Sequence, residues 1–136
     1  MTARNRFEGP GSFPTKEQIH SARPWKQAAV KRSAPEAELE LQLRSVGLHP
    51  NVEVRFDSKR KWRLDFYFPT EVPLAVEVEG GGWVQGRHTR GAGFQADIDK
   101  YNALTLAGIR LLRVTPQMVK SGEALRLVEQ ALGVRS

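Results

Sequence analysis

Three strand-like runs in close succession constrain this chain most: "NVEVRF" (51–56), "KWRLDFYF" (61–68) and "PLAVEVEG" (73–80). Each alternates or is rich in β-branched and aromatic residues, which is the signature of a strand. The segments between them, "DSKRK" and "PTEVP", are short turn signals, so the three runs are expected to pair as an antiparallel meander. Before them, "SAPEAELELQLRSVGL" reads as a helix. Ser33 can cap it, Pro35 suits its first turn, Glu36 and Glu38 favour its positive end, and Gly47 offers the stop. After a polar, Gly-rich loop, a second helix is expected from about Phe94 to Ala107, then a buried strand, "IRLLRVT" (109–115). The closing "PQMVKSGEALRLVEQALG" is helical, with a break near Ser121–Gly122. The order αβββαβα predicts an α/β fold with a mixed sheet flanked by helices.

The third run carries the chemical question. "LAVEVEGGG" (74–82) sets Glu77 and Glu79 among Val and Ala and then ends on three glycines. A carboxylate buried there without a partner costs several kcal/mol. Alternation puts Trp62, Leu64, Phe66 and Phe68 on one side of the second strand and Arg63, Asp65 and Tyr67 on the other. On the third strand Leu74, Val76 and Val78 oppose Ala75, Glu77 and Glu79. As hairpin neighbours, the two strands would bring Asp65 and Glu77 to one face. A first helix docking through Leu39 and Leu43 would add Glu36 or Glu40. Clustered acids repel and drift towards their neutral forms unless a cation compensates. An oxygen-only set favours a hard ion, Mg²⁺ or Mn²⁺. The competing arrangement pairs Asp65, Glu77 and Glu79 with Arg63, Lys61 or Arg110 on an exposed sheet face.

Charge is distributed unevenly. Residues 1–32 hold seven Lys/Arg against two acids, a net +5 of the chain's +6, with Gly, Pro and Ser and no apolar period. They are expected to form a flexible basic arm suited to a polyanion, on a body spanning 33–136. No apolar run approaches the ~20 residues that span a bilayer, and the chain has no cysteine. No membrane association and a cytoplasmic location are therefore the expectation. In the loop "GGGWVQGRHTRGAG", Arg87, His88 and Arg90 could grip phosphates and Trp83 could stack on a base, with Lys31 and Arg32 of the arm contributing charge.

Taken together, "RKWRLDFYFP", "VEVEGGGW", "GRHTRG", "GFQADIDKYN" and "AGIRLLRVT" resemble the PD-(D/E)XK nuclease superfamily. They look most like small phage and bacterial endonucleases of the Vsr type and their relatives. The resemblance covers roughly residues 33–132. It implies a restriction-endonuclease-like core in which Asp65 and Glu77 are the primary metal ligands and the Val78 carbonyl completes the set. Glu36 would be the first-helix acid beside the metal, with Glu40 its rival. Glu79 stands where the superfamily usually has lysine, as in relatives where an acid followed by Gly replaces it. Lys100, one helical turn after Asp97, would then supply the positive charge.

These features predict a Mg²⁺- or Mn²⁺-dependent endonuclease that hydrolyses DNA phosphodiester bonds with one or two ions. The resemblance implies 5′-phosphate and 3′-hydroxyl ends. The small size favours structure-selective cutting at nicks, mismatches or junctions, and a homodimer would present two sites to two strands. Two other classes compete: a catalytically inactive DNA-binding module of the same fold, and a protein-interaction subunit whose arm binds an acidic partner.

Overall fold

The structure, a computed structural model, describes residues 13–22, 32–57, 59–80 and 91–134. Its centre is a four-stranded sheet of β1 (Asn51–Arg55), β2 (Arg63–Phe68), β3 (Leu74–Val78) and β4 (Arg110–Val114), in the spatial order β1-β2-β3-β4. β1, β2 and β3 pair antiparallel and β4 joins β3 in parallel, so the sheet is mixed. A parallel neighbour needs a crossover, and the helix between β3 and β4 provides it. The helices are α1 (Lys16–His20), α2 (Ala34–Ser45), α3 (Gly91–Leu106), α4 (Pro116–Ser121) and α5 (Glu123–Leu132). From α2 onward the order is the expected αβββαβα, the closing helix being split at Gly122, whose φ of 87° ends α4 in the left-handed region.

Both faces of the sheet are covered. Leu39 and Leu43 of α2, Val119 of α4 and Ala124 and Val128 of α5 pack against Val52, Phe66, Phe68, Leu74, Val76 and Val114. On the other face, Ala103 and Leu104 of α3 and Ile19 of α1 join Val54, Phe56, Trp62, Leu64, Tyr67 and Ala75.

Two expectations need correction. Residues 13–22 do not behave as a featureless arm: Thr15 and Gln18 form a capping box that starts α1. Ile19 is fully buried, and the His20 ring nitrogen Nδ1 lies 2.8 Å from the Tyr67 hydroxyl. A five-residue helix with one apolar side chain has no period for a sequence reading to detect. The rest of the arm, residues 1–12 and 23–31 with Lys31, lies outside the described residues. The second correction concerns β2, where Leu64 and Phe66 belong to opposite core faces although alternation would place them together. Val52 and Val54 of β1 divide in the same way. The change of face falls at Glu53 and Asp65, and Glu53 is the one non-glycine residue with positive φ, 51°, among the described residues.

Ile19→Ala tests whether α1 is part of the fold. Deleting a fully buried Ile side chain should cost about 2–5 kcal/mol in urea unfolding. A change below about 0.5 kcal/mol, the range of exposed sites, would mean that α1 is not docked.

Candidate functional site

The hairpin registers put one row of charged residues across the whole sheet. In β1–β2, Val52 pairs with Phe66 and Val54 with Leu64, which sets Glu53 opposite Asp65. In β2–β3, Phe66 pairs with Val76, which sets Asp65 opposite Glu77. Glu77 in turn pairs with Arg113 of β4. Like charges directly opposite destabilise a sheet, and here the ladder opens. Neither Glu53–Asp65 nor Asp65–Glu77 is among the paired rungs. Side chains replace the missing bonds between β2 and β3: the Asp65 backbone N–H donates to Glu77 Oε2 at 2.9 Å, and the Val78 N–H donates to Asp65 Oδ2 at 2.8 Å.

Two helices complete the cluster. The start of α2 is a capping box in which the Ser33 backbone N–H and hydroxyl both donate to Glu36 Oε1, at 3.1 and 2.7 Å. This fixes Glu36 with a carboxylate oxygen close to those of Glu53 and Asp65, all three within 4.8 Å of one another. From α3, Lys100 donates to Glu77 Oε1 as a close ion pair, both side chains being largely buried. Glu53, only 2% exposed, is held by Arg63 at 2.7 Å and has the Arg32 Nε at 3.4 Å.

The electrostatics follow from this crowding. Burial pushes the Asp65 carboxyl up from 3.8 to about 9, and the charges of Glu77 and Glu36 add to the shift. Burial also raises Glu53, aided by Glu36 and opposed by Arg63 and Arg32. Burial works against the charge on Glu36 too, but hydrogen bonds from Ser33 and Asp65 outweigh it and leave Glu36 below its ordinary value. Close carboxylates with no nitrogen or sulfur donor among them suit a hard divalent cation.

Asp65, Glu77, Glu36 and Lys100 are therefore brought together as the sequence led us to expect, and Val78 reaches Asp65 through its N–H. Glu40 is not in the group: it binds Arg32 and, at 2.8 Å, Arg44. Glu79 turns to the β4 side, where Arg113 holds both its oxygens at 2.9 and 3.1 Å. Arg113 also lies over the Tyr101 ring. The exposed-face alternative does not describe these acids. Arg63 serves Glu53, and Arg110 donates to the backbone carbonyls of Ala131 and Val72. Arg32 faces Glu40 and Glu53 rather than open solvent. Trp83, Arg87, His88 and Arg90 lie outside the described residues. At Gly80 an added Cβ would meet nothing within 4 Å, so packing does not demand a glycine there.

Glu53 was missed. The signal was present: the registers are centred on Lys59 and Glu71, the midpoints of "DSKRK" and "PTEVP". Reflecting Asp65 through the first midpoint gives Glu53. Compared with models of protein families, with curated proteins and with solved structures, the chain matches none.

The protonation of Asp65 makes stability pH-dependent. Its folded-state pKa lies above its unfolded one, so its contribution is fully present below about pH 4 and is lost progressively as pH rises towards about 9. Without added metal, the melting temperature should fall across that window, and Asp65→Asn should flatten the profile and melt higher than the parent at pH 8. Parallel profiles for the two proteins, measured by calorimetry in EDTA, would contradict the assignment.

Proposed function

We propose that this chain is a divalent-cation-dependent DNA endonuclease built on a PD-(D/E)XK, restriction-endonuclease-like core. The observation that carries the reading is the opened row of the sheet, where Asp65 meets Glu36 and Glu53 while Glu77 beside it is bound to Lys100. Sheets close their ladders by default, and three acids in register across three strands are costly without a cation to receive them.

Asp65 is common to the ligand set that the sequence resemblance gives (Asp65, Glu77 and the Val78 carbonyl) and to the cluster with Glu36 and Glu53. It is therefore the residue on which holding Mg²⁺ or Mn²⁺ would depend. The ion would act as a Lewis acid on the phosphodiester and polarise the attacking water. Glu36, fixed by its capping box and kept in its charged form, is suited to orient that water by accepting a hydrogen bond from it. Lys100 supplies, from α3, the positive charge that Glu79 cannot. Its contact with Glu77 places it beside the carboxylates, where it can steady charge on a phosphoryl oxygen. The +5 charge of residues 1–32 favours a polyanionic substrate. A binding-only protein of the same fold is the second reading. It draws on Lys100, Arg32 and Arg63, which already answer the acids without an added ion.

The deciding experiment incubates the protein with labelled duplex, mismatched and four-way-junction DNA in EDTA, Mg²⁺ or Mn²⁺. Cleavage should require the metal and disappear in Asp65→Asn. In Lys100→Met, cleavage should fall while DNA binding is retained. That variant should also unfold more easily, because it strands a buried Glu77. DNA that is shifted but intact in every lane would favour the binding-only reading, and equal cutting by Asp65→Asn would reject the site.

A further inference from the structure

Arg32 is poorly satisfied for so buried an arginine. Its side chain is 15% exposed, and of its donor groups only Nη1 is hydrogen-bonded, to Glu40, among the described residues. The Nε is sealed from solvent 3.4 Å from Glu53 Oε1 without forming a hydrogen bond, and the sealed Nη2 has no partner among those residues. The guanidinium carbon sits 5.2 Å from the centre of the Phe66 ring. Hiding guanidinium donors without acceptors is unfavourable. Among the described residues, directional bonding accounts for only the Nη1 end of the side chain, at Glu40. What the position does offer is charge: Arg32 stands beside Glu53, whose other oxygen, Oε2, is taken by Arg63 at 2.7 Å. Glu53 is also the member of the acid cluster that Arg32 and a metal ion would share.

We infer that Arg32 is a built-in counterion that occupies the Glu53 side of the acid cluster and competes with a divalent cation for it, so that Arg32 sets the metal affinity of the site. This rests on the metal-binding part of the function proposed above, and not on cleavage. Cation and guanidinium repel at this distance, so an ion entering among Glu36, Glu53 and Asp65 must push Arg32 off Glu53 or bind against its charge. The device is located at the residue immediately before the α2 cap, Ser33.

The test is Mn²⁺ titration by calorimetry of the full chain, of Arg32→Met, which keeps an apolar stem over Phe66, and of Arg32→Met with Asp65→Asn. Arg32→Met should bind Mn²⁺ about tenfold more tightly than the parent and melt lower in EDTA. The double variant should lose the gain. Unchanged or weaker Mn²⁺ affinity in Arg32→Met would overturn the inference. No binding by any of the proteins would overturn both it and the metal-dependent function. Tighter binding without DNA cleavage would leave it standing while rejecting the nuclease reading. Should Arg32→Met not fold, the unmutated protein answers the question. The Arg32 Nε–Hε resonance should shift on saturation with diamagnetic Mg²⁺, and an unmoved resonance would overturn the inference.

Discussion

The exchange of backbone for side-chain hydrogen bonds at Asp65 is the constraint on which the rest of the cluster depends. With an ordinary ladder there, Asp65 and Glu77 would sit side by side on the face of Tyr67 and Ala75, which α3 covers through Ala103 and Leu104. Desolvation and mutual repulsion would both oppose that arrangement. In the structure each carboxylate instead accepts an N–H from the other's strand, Asp65 from Val78 and Glu77 from Asp65. The strands stay tied, the donors stay satisfied, and the acids acquire fixed positions. The positive φ of Glu53 belongs to the same event on the β1 side. A left-handed backbone at a non-glycine residue costs on the order of 1–3 kcal/mol, and it coincides with the change of core face between Val52 and Val54.

Charge balance then limits what can join. Four carboxylates, Glu36, Glu53, Asp65 and Glu77, share the region with three cations, Arg32, Arg63 and Lys100. With the Asp65 carboxyl raised to about 9, its proton makes up the difference at neutral pH. The cluster as it stands is therefore close to neutral, held by one proton and three side-chain cations. Adding a dication requires that some of this charge leave, either as the Asp65 proton or as movement of a cation away from its acid. Metal binding at such a cluster is linked to proton release for that reason.

Most of the architecture was legible because strand and helix periods are local. The three alternating runs gave the meander, and the short turns "DSKRK" and "PTEVP" fixed where it folds back. Leu39 and Leu43, four residues apart, gave the docking face of α2. The convergence of Asp65 and Glu77 was readable from the same alternation. Two features were not, and a third, Glu53, is legible only when the turn midpoint is used to fix the register. Ile19 is one side chain whose burial depends on residues far along the chain. Glu53 looks like the solvent-facing acid of a half-buried strand until the register sets it against Asp65. The change of face along β2 follows from a broken ladder, which alternation assumes to be intact. Glu79 shows the limit of position alone: two residues from Glu77 and on the same side of an ideal strand, it is drawn off by Arg113 on the neighbouring strand.

Glu36 and Asp65 also differ in how the fold treats their charge. Both are carboxyl groups in one cluster, yet Ser33 donates two hydrogen bonds to Glu36, whereas Asp65 receives one backbone N–H and faces the charges of Glu77 and Glu36. The environments push the two pKa values apart, downwards for Glu36 and upwards for Asp65. Of the two, Asp65 is therefore the one that holds a proton at neutral pH. Against the opposing effect of burial, the hydrogen bonds from Ser33 help hold Glu36 below its ordinary value, so the same Ser33 that starts α2 also helps set the gap between the two acids. Removing the Ser33 hydroxyl would weaken a helix cap by about 1 kcal/mol. It would also narrow the gap between the two acids, tying the local start of one helix to the protonation of a residue two strands away in sequence.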